Sequence, residues 1–377
     1  MAEPFKLLLN ETVVRALGQH LRRVGGKAFD RRGFEAQALG GLDDLEFKAR
    51  AMQIADALEA HLPDDFDTAA GWLESSLGPA GEGDELSGFR CADDGVAGWV
   101  IWPMSEFIAR RGLAQPERAL RALHAMTQRF STEWAIRPFI LQHPELLWAT
   151  LLQWADDPSN HVRRLVSEGS RPRLPWGLQL KPLIADPSPT LPLLLRLQDD
   201  PSPYVRRSVA NHLNDIAKDH PGVVADWLAQ HLPGASAERQ ALLRHASRSL
   251  IKAGDARVLQ AWGQGDGLKG QATLTVAPAR IQLGESVELI ADFKPAGKAP
   301  QALVIDYVVH HVKADGRTSP KVFKGWQLTL APGESRMLRK RHAVKPITTR
   351  VYYPGLHRVE LQVNGQVVAE AAFELRP

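Results

Sequence analysis

The spacing of apolar and polar positions changes once along the chain. Over the first two thirds, apolar residues recur near every 3.6 positions. In LEFKARAMQIADALEAHL (45–62), Leu45, Met52, Ile54, Ala55, Leu58 and Leu62 form a broad stripe, the pattern of a helix with one face against a core. In ERALRALHAMTQRF (117–130), Leu120, Leu123, Met126 and Phe130 repeat it. Between them, GPAGEGDELSGFRCADDGVAG (78–98) is glycine-rich and acidic and reads as a surface loop. After GQGDGLKG (263–270) the period falls to two, in ATLTV, SVELIADF, ALVIDYVVHHV, WQLTL, HRVELQV and QVVAEAAFEL. Asn364-Gly365 between two such runs predicts a tight hairpin.

Within the helical part the chain repeats itself. DDPSNHVRRLVSEGS (156–170) returns as DDPSPYVRRSVANHL (199–213), a period of 43 with seven of the first nine positions identical. Apolar segments, PELLWATLLQWA (144–155) and SPTLPLLLRLQ (188–198), precede the two copies. Each unit therefore reads as helix, Asp-Pro-Ser turn, second helix, with Asp and Ser suited to a turn and cap and proline to a first helical turn. HPGVVADWLAQHL (220–232) and SAERQALLRHASRSLIKAG (236–254) predict a third pair, and AIRPFI (135–140) the second helix of an earlier, diverged unit. Two-helix units of this period belong to the HEAT/armadillo class and stack into a curved solenoid with a concave face. The expected architecture is multidomain, α and β: a HEAT-like helical solenoid over 1–263, a linker at 264–270, and an all-β immunoglobulin-like sandwich over 271–377 that lacks the usual disulfide.

The 377 residues suit more than one core, and 44% apolar with 24% charged residues suits a folded chain. No run is long enough to span a membrane. The first residues lack a secretory pattern, and Cys91 stands alone, so the expectation is a reduced, cytoplasmic compartment and no disulfide framework. Charge is uneven. Residues 268–377 carry 16 basic and nine acidic side chains, net +7, whereas residues 1–130 carry 15 and 20, net −5. A basic tail suggests a polyanionic partner.

No phosphate-binding loop, dinucleotide fingerprint, His-Glu-x-x-His or nucleophile elbow is present, and the thirteen histidines lack ligand spacing. The informative positions lie on the second helices of the repeats. Arg164 and Glu168 stand four apart on one face, as do Arg207, Asn211 and Asp215 one repeat later, and Glu133 and Arg137 one unit earlier. Equivalent helices of a solenoid line one surface. Glu133, Glu168 and Asp215 are therefore expected to converge in the groove, interleaved with Arg137, Arg164 and Arg207. Trp176, in the proline-rigid RPRLPWG, is placed to project at the rim. In the tail, MLRKRHAVKP (337–346) concentrates Arg339, Lys340, Arg341 and Lys345 as a second grip on a polyanion, although alternate residues of a strand face opposite ways.

At these residues the chain resembles the AlkC branch of the AlkC/AlkD family of HEAT-like-repeat DNA alkylation-repair glycosylases. The matching segments are FSTEWAIRPFI (130–140), DDPSNHVRRLVSEGSRPRLPWG (156–177) and DDPSPYVRRSVANHLNDIAKDHP (199–221), with LGGLDDLEFKARAMQIADAL near the start. The likeness covers about residues 5–255, SEGSRPRLPWG being its most specific piece. The tail resembles the immunoglobulin-like domain that some members carry. The resemblance implies a bacterial, monofunctional hydrolase of base-excision repair. It would remove the cationic bases 3-methyladenine and 3-methylcytosine from double-stranded DNA without extruding them. No metal, cofactor or membrane is implied, and the expected state is a monomer. Glu133, Glu168, Asp215 and Trp176 are the implied catalytic, lesion-facing set. Arg164 and its neighbours Arg137, Arg163, Arg171, Arg173, Arg206, Arg207 and Asn211 would hold the DNA backbone. A non-enzymatic scaffold that binds a protein in the same groove, or a sensor that binds alkylated DNA and releases nothing, would present the same surface. Amide variants of the carboxylates separate the three.

Overall fold

The computed structural model describes residues 5–81, 83–264, 267–347 and 350–376. Two compact units form. One comprises Met1–Asp219 with Ser236–Ala246, the other His220–Ala235 with Ser247–Pro377. The expected linker thus marks the change from helix to strand, Ala261 to Gly270, while the helical residues just before it belong compactly with the strands. Gly265 and Asp266 of that linker lie outside the described residues.

The first unit is built of helix pairs, and the predicted stripes are its core. Ile54, Ala55 and Leu58 of the Phe47–His61 helix are buried, as are Leu120, Leu123 and Met126 of the Pro116–Thr127 helix. The repeat appears as Pro144–Trp154 with Asn160–Gly169, then Leu191–Leu197 with Pro203–Ile216. Its signature residues do the same work in each copy. Asp157 Oδ1 accepts from the Ser159 amide at 2.8 Å, and Asp200 Oδ1 from the Ser202 amide at 2.9 Å, closing the turn before the helix. Arg163 donates to the carbonyls of Asp157 and Pro158, and Arg206 to those of Asp200 and Pro201. Arg196 pairs back to Asp156, and Arg239, 43 positions later, pairs back to Asp199. The diverged unit contributes only the short helix Arg137–Gln142. The segment 236–254, predicted as one helix, is two, Ala237–Ala246 and Arg248–Ala253.

In the second unit, eight strands form two sheets: β1 (Gly270–Ala277), β2 (Arg280–Gln282), β3 (Ser286–Pro295), β4 (Gln301–Val312), β5 (Thr318–Leu330), β6 (Arg336–Ala343), β7 (Gly355–Val363) and β8 (Gln366–Arg376). The orders are β1-β3-β6 and β2-β8-β7-β4-β5, antiparallel except for the β2–β8 pair. Alternate residues such as Leu289, Phe293, Ile305, Leu361 and Phe373 fill the space between the sheets, as expected of an immunoglobulin-like sandwich. Asn364 and Gly365 both take positive φ, 49° and 78°, the hairpin geometry their sequence predicts. Gly365 also meets Gly254 backbone to backbone; a Cβ on Gly254 would lie 2.6 Å from Gly365 Cα, so only glycine allows this approach.

The sandwich buries three histidines. His311 and His357 have ring centroids 5.6 Å apart, and His311 and His342 6.3 Å. Arg350 donates to His311 Nε2 at 2.8 Å, which leaves the His311 proton on Nδ1. Tyr353 O accepts from His357 Nε2 at 3.1 Å, and the Tyr307 hydroxyl meets His342 Nδ1 at 3.2 Å. Burial, with the Arg350 charge second, pushes His311 down to about 3 and His342 to about 4, and burial lowers His357. All three are held neutral.

Candidate functional site

The loop after the Asn160–Gly169 helix depends on one side chain. Arg137 is fully buried. Its guanidinium donates to the carbonyls of Leu178 at 2.6 Å, Gly169 and Arg171 at 2.8 Å each, and Pro172 at 3.4 Å. Burial, with Arg171 second, lowers its pKa to about 10. The expectation that Arg137 touches DNA is thereby corrected. A loop with no ladder of its own needs donors for its inward carbonyls, and Arg137 supplies them. The loop in turn holds Trp176 in left-handed backbone conformation, φ 62°, where a bulky residue is strained. Trp176 is half exposed. It lies parallel to buried Trp102, centroids 6.2 Å apart, and meets the edges of Phe5 and Phe47. Trp134 stacks on Trp102 at 4.4 Å, and its indole donates to Pro175 O.

Of these rings, Phe5, Trp134 and Trp176 wall a cleft of about 450 Å³, shared with Trp99, Phe130, Leu86, Ser87, Ser131, Glu133 and Arg164. Apart from Trp176 and Glu133, none of the aromatic and acidic lining residues was singled out from sequence. Trp134 adjoins Glu133, and Trp99 and Trp102 lie in GWVIWP, but nothing in their spacing distinguishes a lining ring from a core one.

The three carboxylates do meet. From the cleft, through the interior, to exposed Lys218 runs a row of alternating sign: Glu133, Arg164, Glu168, Arg171, Asp215, Lys218. Of the three carboxylates only Glu133 lines the cleft; Glu168 and Asp215, expected in the groove, are buried instead. Arg164 donates to Glu133 Oε2 at 2.8 Å and approaches Glu168 Oε1 at 3.7 Å. Arg171 donates to Glu168 Oε1 at 2.6 Å and to Asp215 Oδ2 at 2.8 Å, and Lys218 to Asp215 Oδ1 at 2.8 Å. Ser208 donates to Glu168 Oε2 at 2.6 Å. The carboxylates are only 7%, 6% and 2% exposed in row order. Burial alone would raise the pKa of Glu168, but Arg164 and Arg171 outweigh it and hold it below the usual range. The same partners raise Arg164 and Arg171 against the opposing effect of burial. Glu133 differs from the others. Its Oε2 takes both Ser131 and Arg164, and among the described residues its Oε1 accepts no hydrogen bond.

The arginines expected to hold phosphates divide accordingly. Arg164 and Arg171 are committed to the row; the Arg164 guanidinium also lies 4.9 Å over the Tyr204 ring. Arg163 is bound to Asp200, Arg173 to Asp219 by two hydrogen bonds, and Arg206 to its own turn. Each of these guanidiniums already has a protein partner, because a cation near a repeat turn or buried carboxylate is captured by it. Asn211 accepts from His245 at 2.9 Å. Arg207 is exposed and lines a groove with Arg206 and His245. On β6, Arg339 and Arg341 point outward, Arg339 toward Glu288. Lys340 faces the other way, donating to Gly325 O and lying 5.8 Å from the Trp326 ring. Lys345 is exposed after the strand. Among the described residues no three His, Cys, Asp or Glu are arranged to hold a metal, and no helix is long and apolar enough to cross a membrane.

Helical repeats carrying a buried carboxylate–arginine row beside an aromatic cleft, followed by an immunoglobulin-like sandwich, define a narrow class, and the comparisons agree with it. A HEAT repeat model matches residues 190–220, and the model described as the C-terminal Ig-like domain of the uncharacterised protein YhaZ matches residues 271–377. The chain is 34% identical to YhaZ of Bacillus subtilis (strain 168) over 98% of this chain and 99% of that one. It is similar, with a TM-score of 0.87 and 35% identity over the whole of both chains, to a solved Pseudomonas fluorescens alkylpurine DNA glycosylase AlkC bound to DNA containing an abasic site analog. The chain belongs to the AlkC family.

Proposed function

We propose that the protein is a monofunctional DNA glycosylase that hydrolyses the N-glycosidic bond of cationic alkylated bases, 3-methyladenine and 3-methylcytosine, in duplex DNA, and so opens base-excision repair. The observation that carries this reading is the unengaged Glu133 Oε1 at the mouth of an aromatic cleft, at the head of the ion-pair row. The relative solved with abasic DNA supports DNA as the partner.

An N3-methylated base already carries positive charge and leaves without a general acid. As the C1′–N bond breaks, its electron pair departs with the base and neutralises it, and cationic character moves to the sugar. Glu133 stabilises that charge and takes a proton from the water whose oxygen bonds to C1′. The products are the neutral methylated base and a sugar with a free anomeric hydroxyl; Glu133 then returns its proton to solvent. Arg164 holds Glu133 by a hydrogen bond, and Glu168 and Asp215 keep Arg164 and Arg171 in place. Trp176 offers its face to the cationic base or sugar, an interaction of about 0.5–2 kcal/mol. In this reading the lesion stays in the stack and Trp176 meets it there.

The test is release of free N3-methylated bases from dimethyl sulfate-treated DNA by the purified chain. Base release abolished in Glu133→Gln, with DNA binding retained, is the expected result. Wild-type protein that binds this DNA and releases nothing would overturn the proposal and reinstate the sensor.

A further inference from the structure

Around the cleft, Arg164 stands on an α-helix, Phe130, Ser131, Glu133 and Trp134 on the connection between two helices, and Pro175 and Trp176 on the loop braced by Arg137. One further side comes from a longer irregular segment. Leu86 and Ser87 come from the 78–98 segment, whose described residues form no helix and are tied by the isolated bridges Leu77 with Val96 and Ala92 with Gly95. It is the surface loop the sequence predicts, and it is docked onto the repeats. Asp84 Oδ1 accepts from Asn160 Nδ2 at 2.5 Å and from Ser202 Oγ at 2.7 Å, and Gly83 O accepts from the same Asn160 nitrogen at 2.8 Å. Asn160 opens the second helix of one repeat and Ser202 caps that of the next. One carboxylate therefore joins two successive repeats to the loop. Phe89 packs edge-on against buried His161 at 5.1 Å. It also closes over Gly81, where a Cβ would fall 1.8 Å from the ring.

A wall fixed to both repeats is fixed relative to Arg164 and Ser208, which sit on those same helices and hold the carboxylate row. Its inner surface is apolar where it matters. The Ser87 hydroxyl is bound to Glu85 at 3.0 Å, leaving Leu86 as the apolar side chain this segment presents to the cleft. Apolar walls discriminate by size, about 10–200-fold per methylene.

Resting on the proposed glycosylase reading, we infer that Leu86 is a specificity-determining residue that limits the excised adduct to methyl size, and that Asp84 is the positioning residue that holds it there. Full-length wild type and Leu86→Ala are compared on DNA treated with dimethyl sulfate and on DNA treated with diethyl sulfate. The methyl-to-ethyl ratio of release rates falls about tenfold in Leu86→Ala; an unchanged ratio overturns the size role. Asp84→Ala relaxes the ratio in the same direction and speeds amide exchange in 83–91, while Asp84→Asn, which keeps a carbonyl acceptor, restores both. Wild-type exchange and ratio in Asp84→Ala overturn the positioning role. Wild-type protein that releases neither adduct removes the glycosylase reading and the size role together, and the exchange measurement still decides what Asp84 does.

Discussion

In the first unit, six charged side chains from Glu133 to Lys218 lie in one row of alternating sign; in the second, His311, His342 and His357 lie in one core as neutral rings beside the Arg350 cation. Both regions bury ionisable groups, and a buried isolated charge is too costly to keep. The row meets that cost by giving every carboxylate a cation. The histidine cluster meets it by staying neutral, at the expense of ring nitrogens left without partners, including His311 Nδ1, His342 Nε2 and His357 Nδ1. The first arrangement keeps negative charge ready for a developing cation. The second makes the sandwich depend on pH.

Each side of this contrast can be broken. The largest effect is expected from Glu133→Gln, which removes the one unengaged carboxylate oxygen. Single-turnover base release falls about 10²–10⁴-fold, the usual contribution of a positioned base, with the far-ultraviolet spectrum unchanged. Arg171→Met removes the cation that Glu168 and Asp215 share and costs up to about 3–5 kcal/mol, read as a lower denaturant midpoint of the helical unit. Next is acid. The folded pKa values of the histidines lie below the ordinary 6.5, so the unfolded chain binds more protons in between, and stability rises with pH across that window. The sandwich is therefore at full stability above about 6.5 and loses it progressively as pH falls toward about 4. Glu168, by contrast, is held below the usual carboxylate range by its arginines. Calorimetry that shows equal acid sensitivity in both units would erase the contrast. The smallest effect belongs to the surface: Arg207→Ala, or Arg339→Ala with Arg341→Ala, weakens DNA binding and lowers its salt slope by about one for each phosphate no longer neutralised. Point substitutions suit this test because 268–377 is only part of a compact unit that begins further back.

Much of this was legible in the chain. The DDPS and VRR identities announced the repeat, and the four-residue spacings brought Glu133, Glu168 and Asp215 to one row. Alternation announced the strands, although β2 and β6 were not separately foreseen. What escaped depends on loops. Arg137 looked like a groove arginine because its spacing from Glu133 says nothing about which carbonyls will surround it. The lining rings Phe5, Trp99 and Trp134 come from distant segments and carry no periodic mark. The 78–98 segment looked solvated because its glycines and acids are also what a chain uses to turn tightly and reach another element's cap.

The backward pairs Arg196 to Asp156 and Arg239 to Asp199 act as a ruler. A copied block of 43 residues inserted at this joint would arrive with complementary partners at both ends, so the architecture can lengthen or shorten by whole repeats with little new invention. The stretch from Glu133 to Asp215 has no such freedom, since an added repeat there would part neighbours whose charges must touch.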